Sequence, residues 1–235
     1  MALGVSRRRY RMFTEIQLET VASRHHSSPG LIFLLPSTRL EPAMKTVGEK
    51  LDSFSVTGVK PGFNHHEENG VSAFETLTER SFAGKWKVFY FYPKDFTFVC
   101  PTEIVGFAKL AADFEDRDAV LLAGSADNEF VKLGWRRDHK DLDRLNHWMF
   151  ADPTGALIDM LGVRDRKEGV PLRATFIVDP DNVIQHVSVN NLNVGRSPEE
   201  VLRVLDGLQT DELCPCNRAV GAGTLVTATP TQSLN

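Results

Sequence analysis

The chain predicts a mixed α/β layer fold, and three features carry that reading. Residues 86–92 (WKVFYFY) and Ala119–Ser125 (AVLLAGS) are short, nearly continuous apolar runs, the pattern of strands buried on both faces. Each is followed by a segment with helical spacing of apolar residues. Arg173–Val178 (RATFIV) and residues 183–189 flank the turn Asp179-Pro180-Asp181-Asn182, the pattern of a β-hairpin. Strand–helix–strand–helix, then a hairpin and a last helix, is an α/β layer order.

The elements follow in chain order. The first strand stops at Pro93. Pro101 suits the first turn of a helix, because its missing N–H has no helical partner there. Ile104, Phe107, Ala108 and Ala111 then recur at i, i+3, i+4 and i+7 and mark one apolar face. This helix is expected to end near the acidic cluster at 113–118, read as a solvated end rather than a metal site. Residues 128–138 read as a helix, 149–151 as a short strand before the turn Asp152-Pro153-Thr154-Gly155, and 156–163 as a short helix. In the second hairpin strand Val183, Gln185, Val187 and Val189 share a face. Ser197-Pro198-Glu199-Glu200 has the capping-box pattern, with serine as cap and glutamate three residues on. Val201, Val204, Leu205 and Leu208 form the apolar face of the last helix.

Composition excludes several classes of function. At roughly 150 residues per domain, a chain of 235 residues is one domain, or one with an appendage. Hydrophobic residues at 42% and charged residues at 25% are globular values. The net charge of −4 gives no basic excess for nucleic acid. The apolar run at 31–35 has five residues, too short for a bilayer span or a signal-peptide core. No membrane partner is expected, and the expected location is cytoplasmic. Three cysteines are too few for a disulfide scaffold or a four-cysteine zinc site and suggest reactive thiols.

Residues 1–43 differ from the rest. They hold six arginines, no lysine and three glutamates, a net of +3, against −7 for residues 44–235. The expected organisation is an N-terminal extension over 1–43 and one domain over 44–235. The extension reads as a dispensable tail or early start, as a targeting peptide, or as a binding arm. Glu15, Glu19 and Glu41 count against the targeting peptide. The tail after Arg218, rich in Gly, Ala and Thr, is expected to fray.

The chemically informative segment is Pro93-Lys94-Asp95-Phe96-Thr97-Phe98-Val99-Cys100-Pro101-Thr102-Glu103, between a buried strand and a helix start. That position puts Cys100 at the helix N-terminus, where the dipole favours an anion. The thiolate is the nucleophilic form of cysteine. Thr97 offers a hydroxyl one turn earlier, and Pro93 shields the site without adding a donor. An arginine from another strand could anchor the thiolate and polarise a bound oxygen, and Arg173, at a strand start, is the candidate. The competing reading makes Cys100 a small buried hydrophobe.

The spacing P-x-x-x-T-x-x-C, standing here as Pro93, Thr97 and Cys100, closely resembles the active-site motif of peroxiredoxins. The resemblance extends through Glu103, Arg173 in VPLRATFIVDP, and Val194-Gly195-Arg196-Ser197, covering about residues 44–217. It implies a thioredoxin-like fold, a central mixed sheet flanked by helices, and reduction of hydrogen peroxide and organic hydroperoxides without metal or organic cofactor. Cys100 would then be the peroxidatic cysteine. Thr97 and Arg173 would hold the peroxide oxygens, Pro93 would form the pocket wall, Glu103 would steady Arg173, and Arg196 would assist the resolving step.

Cys214 and Cys216, in Asp211-Glu212-Leu213-Cys214-Pro215-Cys216, follow the last helix on a tail expected to be mobile. In a two-cysteine peroxiredoxin this position carries the resolving cysteine, which bonds the peroxidatic cysteine of a partner subunit. The C-x-C ending resembles an alkyl hydroperoxide reductase branch of the family. Cys214 aligns best, and Cys216 stands as a relay or back-up thiol; a metal pair is the alternative for C-P-C. The resemblance implies a homodimer assembling into a larger ring and a protein reductant, either a C-x-x-C partner or a thioredoxin. Two other functions compete. A thioredoxin-like disulfide oxidoreductase shares the fold but needs C-x-x-C, where this chain has Glu103. An oligomeric holdase would not require Thr97 and Arg173 beside a thiol.

Overall fold

The computed structural model describes residues 43–225. The expected extension, apart from its last residue, and the end of the C-terminal tail lie outside them. The chain opens with β1 (Ser55–Val59), the two-residue strands β2 (Glu67–Glu68) and β3 (Val71–Ser72), and β4 (Phe74–Thr78). Then come β5 (Trp86–Phe91), α1 (Cys100–Lys109), α2 (Ala111–Glu115), β6 (Ala119–Ser125) and α3 (Glu129–Asp138). A 3-10 turn (Lys140–Leu142), β7 (Trp148–Ala151), α4 (Ala156–Met160), β8 (Arg173–Val178), β9 (Ile184–Asn190) and α5 (Pro198–Leu208) complete it.

Seven strands form one mixed sheet in the order β4-β1-β7-β6-β5-β8-β9, and β2 pairs with β3 separately. β5, β6 and β7 run parallel, and β8 turns antiparallel onto β5. The parallel centre explains the continuous apolar runs. Along β5, Val88 and Tyr90 enter a core with Ile104 and Phe107 of α1, Trp135 of α3 and Leu205 of α5. Phe89 and Phe91 point the other way, onto Phe150, Leu157, Ile158 and Phe176. The two-residue period of a strand and helices on both faces therefore account for every residue of that run. Gly124 of β6 lies beneath the Phe150 ring, whose Cζ is 1.9 Å from where a Cβ would stand, so the close approach requires glycine.

Most predicted elements are present, with boundary differences that have local causes. The helix expected to run to the acidic cluster breaks at Leu110 (φ −101°, ψ 7°), where the N–H bonds Phe107 O at 3.1 Å and tightens the last turn. α2 then restarts, and Phe114 still packs beside Phe107, 6.1 Å between ring centres. α4 ends at Met160 rather than 163, and β9 starts at Ile184, Val183 being held by an isolated bridge to Lys50. Only half of the capping box forms. Ser197 Oγ accepts from Glu200 N at 3.2 Å, whereas the Glu200 carboxylate turns to Arg203 at 2.6 Å. The sheet's far side, β1 and β4, has no counterpart among the predicted elements. SVTGV and FETLT are short and largely polar, and β4 lies at the sheet edge.

Candidate active site

The sheet's topology assembles the site. β5 delivers the chain to Pro93, a loop covers residues 93–99, and α1 begins at Cys100 with Pro101 in its first turn. Cys100 is 1% exposed and packs in the core with Tyr90 and Ile104. Tyr90 pairs with Thr175 across the antiparallel β5–β8 ladder. Two residues nearer the start of β8, Arg173 therefore sits just beyond the end of β5, beside the start of α1.

Arg173 Nη1 lies 3.5 Å from Cys100 Sγ and 2.6 Å from Glu103 Oε2, and its Nε donates to Leu192 O at 2.7 Å. Arg196 closes the other side of the same carboxylate. Its Nε reaches Glu103 Oε1 at 2.8 Å, its Nη2 reaches Oε2 at 2.9 Å, and its backbone N donates to Oε1 at 2.9 Å. Arg196 Nη1 also donates to Ala174 O at 2.8 Å, and the guanidinium lies over the Tyr90 ring. All three charged side chains are buried. Two guanidiniums against one carboxylate leave one positive charge in a dry site. The Cys100 sulfur stands beside that charge, at the positive end of α1.

The loop before Cys100 is tied down from below. Asp95 is buried, its N–H donates to Asp127 Oδ2 at 2.8 Å, and its Oδ1 accepts from Ser125 Oγ at 2.9 Å. Lys132 of α3, fully buried, places Nζ 2.7 Å from Ser125 Oγ, 3.2 Å from Tyr92 Oη and 3.3 Å from Asp95 Oδ1. Phe96 takes the left-handed region at φ 55°, which costs a non-glycine residue about 1–2 kcal/mol. Thr97 is half-buried and its Oγ1 donates to Lys94 O at 2.9 Å; Pro93 is half-buried at the loop's start.

Behind the thiol, Tyr90 stacks on Phe107 at 4.1 Å and its Oη meets His147 Nε2 at 2.5 Å. Burial, with the Arg136 guanidinium nearby, pushes His147 down to about 3. Arg136 is also fully buried and is pushed down to about 10, chiefly by that burial. It spends its donors on backbone carbonyls, among them Lys60 O at 2.7 Å and Phe63 O at 3.0 Å.

Cys214 and Cys216 are brought to the surface beyond α5, apart from Cys100, and all three thiols are free. Cys214 Sγ lies 3.4 Å from Thr210 Oγ1, and both cysteines line an open cavity of about 1120 Å³ with Arg203, Gly207, Leu208 and Leu213. The segment expected to be mobile is tied down as far as residue 225. Asp206 of α5 takes Arg218 at 2.5 Å and Arg117 at 3.0 Å, and Leu225 N donates to Leu213 O at 2.7 Å. His65 and His66 are exposed, and no group of three or more metal-ligating side chains occurs among the described residues.

Of the residues singled out from the sequence, Cys100, Glu103, Arg173 and Arg196 form one cluster, Pro93 and Thr97 lie on the adjoining loop, and Cys214 and Cys216 form a separate group. Lys132, Asp95 and the Leu192 carbonyl escaped sequence reasoning. The available signal was Lys132 and Arg136 at i and i+4, interleaved with Leu133 and Trp135, a spacing that reads as a solvated face until burial is known.

A thioredoxin-like α/β fold that seats one thiol at a helix start, against an arginine from the neighbouring strand, defines a thiol-dependent peroxidase. The chain belongs to the AhpC/TSA family, the peroxiredoxins, whose model matches residues 47–187. It is 47% identical over 189 residues to alkyl hydroperoxide reductase C of Mycolicibacterium smegmatis, covering 78% of this chain and 94% of that one. It is 38% identical over 185 residues to the mitochondrial thioredoxin-dependent peroxide reductase of Rattus norvegicus, covering 75% and 72%. The solved structure of Mycobacterium tuberculosis AhpC superposes with a TM-score of 0.68 at 45% identity, over 74% of this chain and 99% of that one.

Proposed function

We propose that Cys100 is the residue that reduces the peroxide and that Cys214, with Cys216 behind it, returns it to the cycle. The observation that carries this is the buried Cys100 sulfur with the Arg173 guanidinium 3.5 Å away. The thiolate attacks one peroxide oxygen. A sulfur–oxygen bond forms, the O–O bond breaks, and the leaving oxygen takes a proton to depart as water or alcohol. Cys100 is left as a sulfenic acid. Arg173 stabilises charge on the leaving oxygen, Thr97 and Pro93 shape the pocket, and Glu103 and Arg196 fix Arg173.

The sulfenic acid then condenses with the Cys214 thiol of a second subunit, giving a disulfide and water. The outer edge of β9 beyond Ile184, whose own N–H and C=O pair with Glu49 and Gly48, supports a homodimer, since an identical strand added there extends the sheet across a two-fold axis. Larger rings, a cytoplasmic location, and a thioredoxin or other C-x-x-C protein as reductant complete the proposal. The names of the mycobacterial and rat relatives support a hydroperoxide substrate and, for the rat protein, a thioredoxin donor. A disulfide oxidoreductase is disfavoured because Glu103, where its second cysteine would stand, is committed to two arginines.

The test is peroxide consumption in the absence of small thiols. Wild type with a protein reductant should turn over, Cys100→Ser should not, and Cys214→Ser/Cys216→Ser should stop after one equivalent. Turnover by Cys100→Ser at the wild-type rate would refute the assignment and move the chemistry to another thiol, whereas a wild type that consumes no peroxide would leave the holdase reading, to be tested by suppression of aggregation.

A further inference from the structure

Cys100 is buried within α1, while Cys214 and Cys216 lie exposed beyond α5. Any disulfide between them needs the first turn of α1 and the loop before it to open. What holds that loop closed is therefore what divides the cycle between attack and resolution.

We propose that the buried Lys132–Asp95 pair is the latch of this loop: it keeps residues 93–99 seated for attack on the peroxide and sets how often Cys100 is released to a resolving thiol. Lys132 is thus a positioning residue, acting through Asp95. The inference rests on the assignment of Cys100 and Cys214 above.

Three observations carry it. First, the latch joins the loop to the scaffold. Asp95 belongs to the loop, Lys132 to α3, and Ser125, which both of them touch, to the end of β6. Secondly, the latch is dry. The Lys132 and Asp95 side chains are 0% and 1% exposed, so breaking the pair strands two charges away from water, and closure is favoured over partial opening. Burial pushes the Lys132 amine down, and the Asp95 and Asp127 carboxylates oppose that push. Thirdly, the loop is under strain where it is latched. Phe96, next to Asp95, is held at φ 55° with its ring 5.8 Å from Trp135, three residues along α3 from Lys132. A strained segment persists only while its surroundings hold it. Once the latch is released, opening relieves the strain.

Attack and resolution therefore make opposite demands on one ion pair. Removing the ammonium should slow the first step and speed the second. A residue that merely supported the fold would slow both or neither.

The experiment uses the full chain with Lys132→Gln. Stopped-flow mixing with hydrogen peroxide gives the attack rate, and acid quench with thiol alkylation and mass spectrometry gives the rate of disulfide formation. Attack should slow about ten-fold, as expected when a reacting group is mispositioned, while disulfide formation accelerates about three-fold or more. Hydrogen exchange at residues 94–99 should rise with no rise at α5. Rates that fall together, or a disulfide step that is unchanged, overturn the proposal. If Lys132→Gln does not fold, the uncharged pair Lys132→Gln/Asp95→Asn is judged by the same split, and failure of both to fold makes the pair a requirement of the fold and overturns the latch. Wild type that oxidises at a thiol other than Cys100 refutes the assignment instead, a result distinct from both.

Discussion

At the scale of single residues, the proposed chemistry turns on one guanidinium, Arg173, 3.5 Å from the buried Cys100 sulfur. Arg173 is oriented by Glu103 and Leu192 O before any substrate arrives, so its charge costs no reorganisation at the moment of reaction. Arg173→Ala should slow the peroxide step by about 10²–10³, the usual loss for one preorganised donor. Stopped-flow rates within a few-fold of wild type would remove Arg173 from the chemistry. Thr97→Val keeps the shape and deletes the hydroxyl, so a slower attack assigns the effect to the hydroxyl. Cys100, Thr97 and Pro93 were legible in the sequence because their spacing is contiguous and sits at a strand-to-helix junction. Lys132 was not. A lysine on α3 looks solvated, and only the end of β6 and the Asp95 loop, distant in sequence, show it enclosed.

At the scale of elements, the proposed cooperation between subunits rests on the C-terminal segment and β9. Val187→Glu puts a carboxylate on the strand that the proposed two-fold pairing duplicates, so sedimentation should show the proposed dimer giving way to monomer with the circular dichroism unchanged, a control needed because Val187 packs partly against the core; an unchanged mass would move the interface elsewhere. In the segment after α5, Cys214→Ser should keep partial turnover through Cys216. The double serine variant should not turn over: it should take up one equivalent of peroxide to give the sulfenic acid, and only with peroxide in excess spend a second equivalent on sulfinic acid at Cys100, read by peptide mass spectrometry. If Cys214→Ser alone is dead and Cys216→Ser behaves as wild type, Cys216 has no part. The runs of β5, β6 and β8 were readable because strands buried on both faces are mostly apolar, with only Lys87, Ser125, Arg173 and Thr175 as buried polar exceptions. β1 and β4 were not, since their short, partly polar stretches pair with each other and join the rest of the sheet only through β7, remote in the chain.

At the scale of the whole molecule, buried titratable groups tie stability to pH. His147 falls from 6.5 unfolded to about 3 folded. Between these values the unfolded chain binds more protons, so stability rises with pH across the window and is lost as pH falls from about 6.5 toward 3. Between pH 6.5 and 5 the loss from this residue is about 2 kcal/mol. His147→Gln should flatten that part of the denaturant-midpoint profile, and an identical slope in both proteins would contradict it. The proposed cycle is a property of the whole molecule too, because Cys100 is buried at the start of α1 while Cys214 and Cys216 are exposed beyond α5. The most direct test is one equivalent of hydrogen peroxide added to the reduced protein, followed by alkylation and peptide mapping. The expected result is a disulfide from Cys100 to Cys214 or Cys216 of a second subunit, seen as a covalent dimer that Cys100→Ser abolishes. A Cys100 thiol that remains alkylatable after the peroxide is consumed would contradict it.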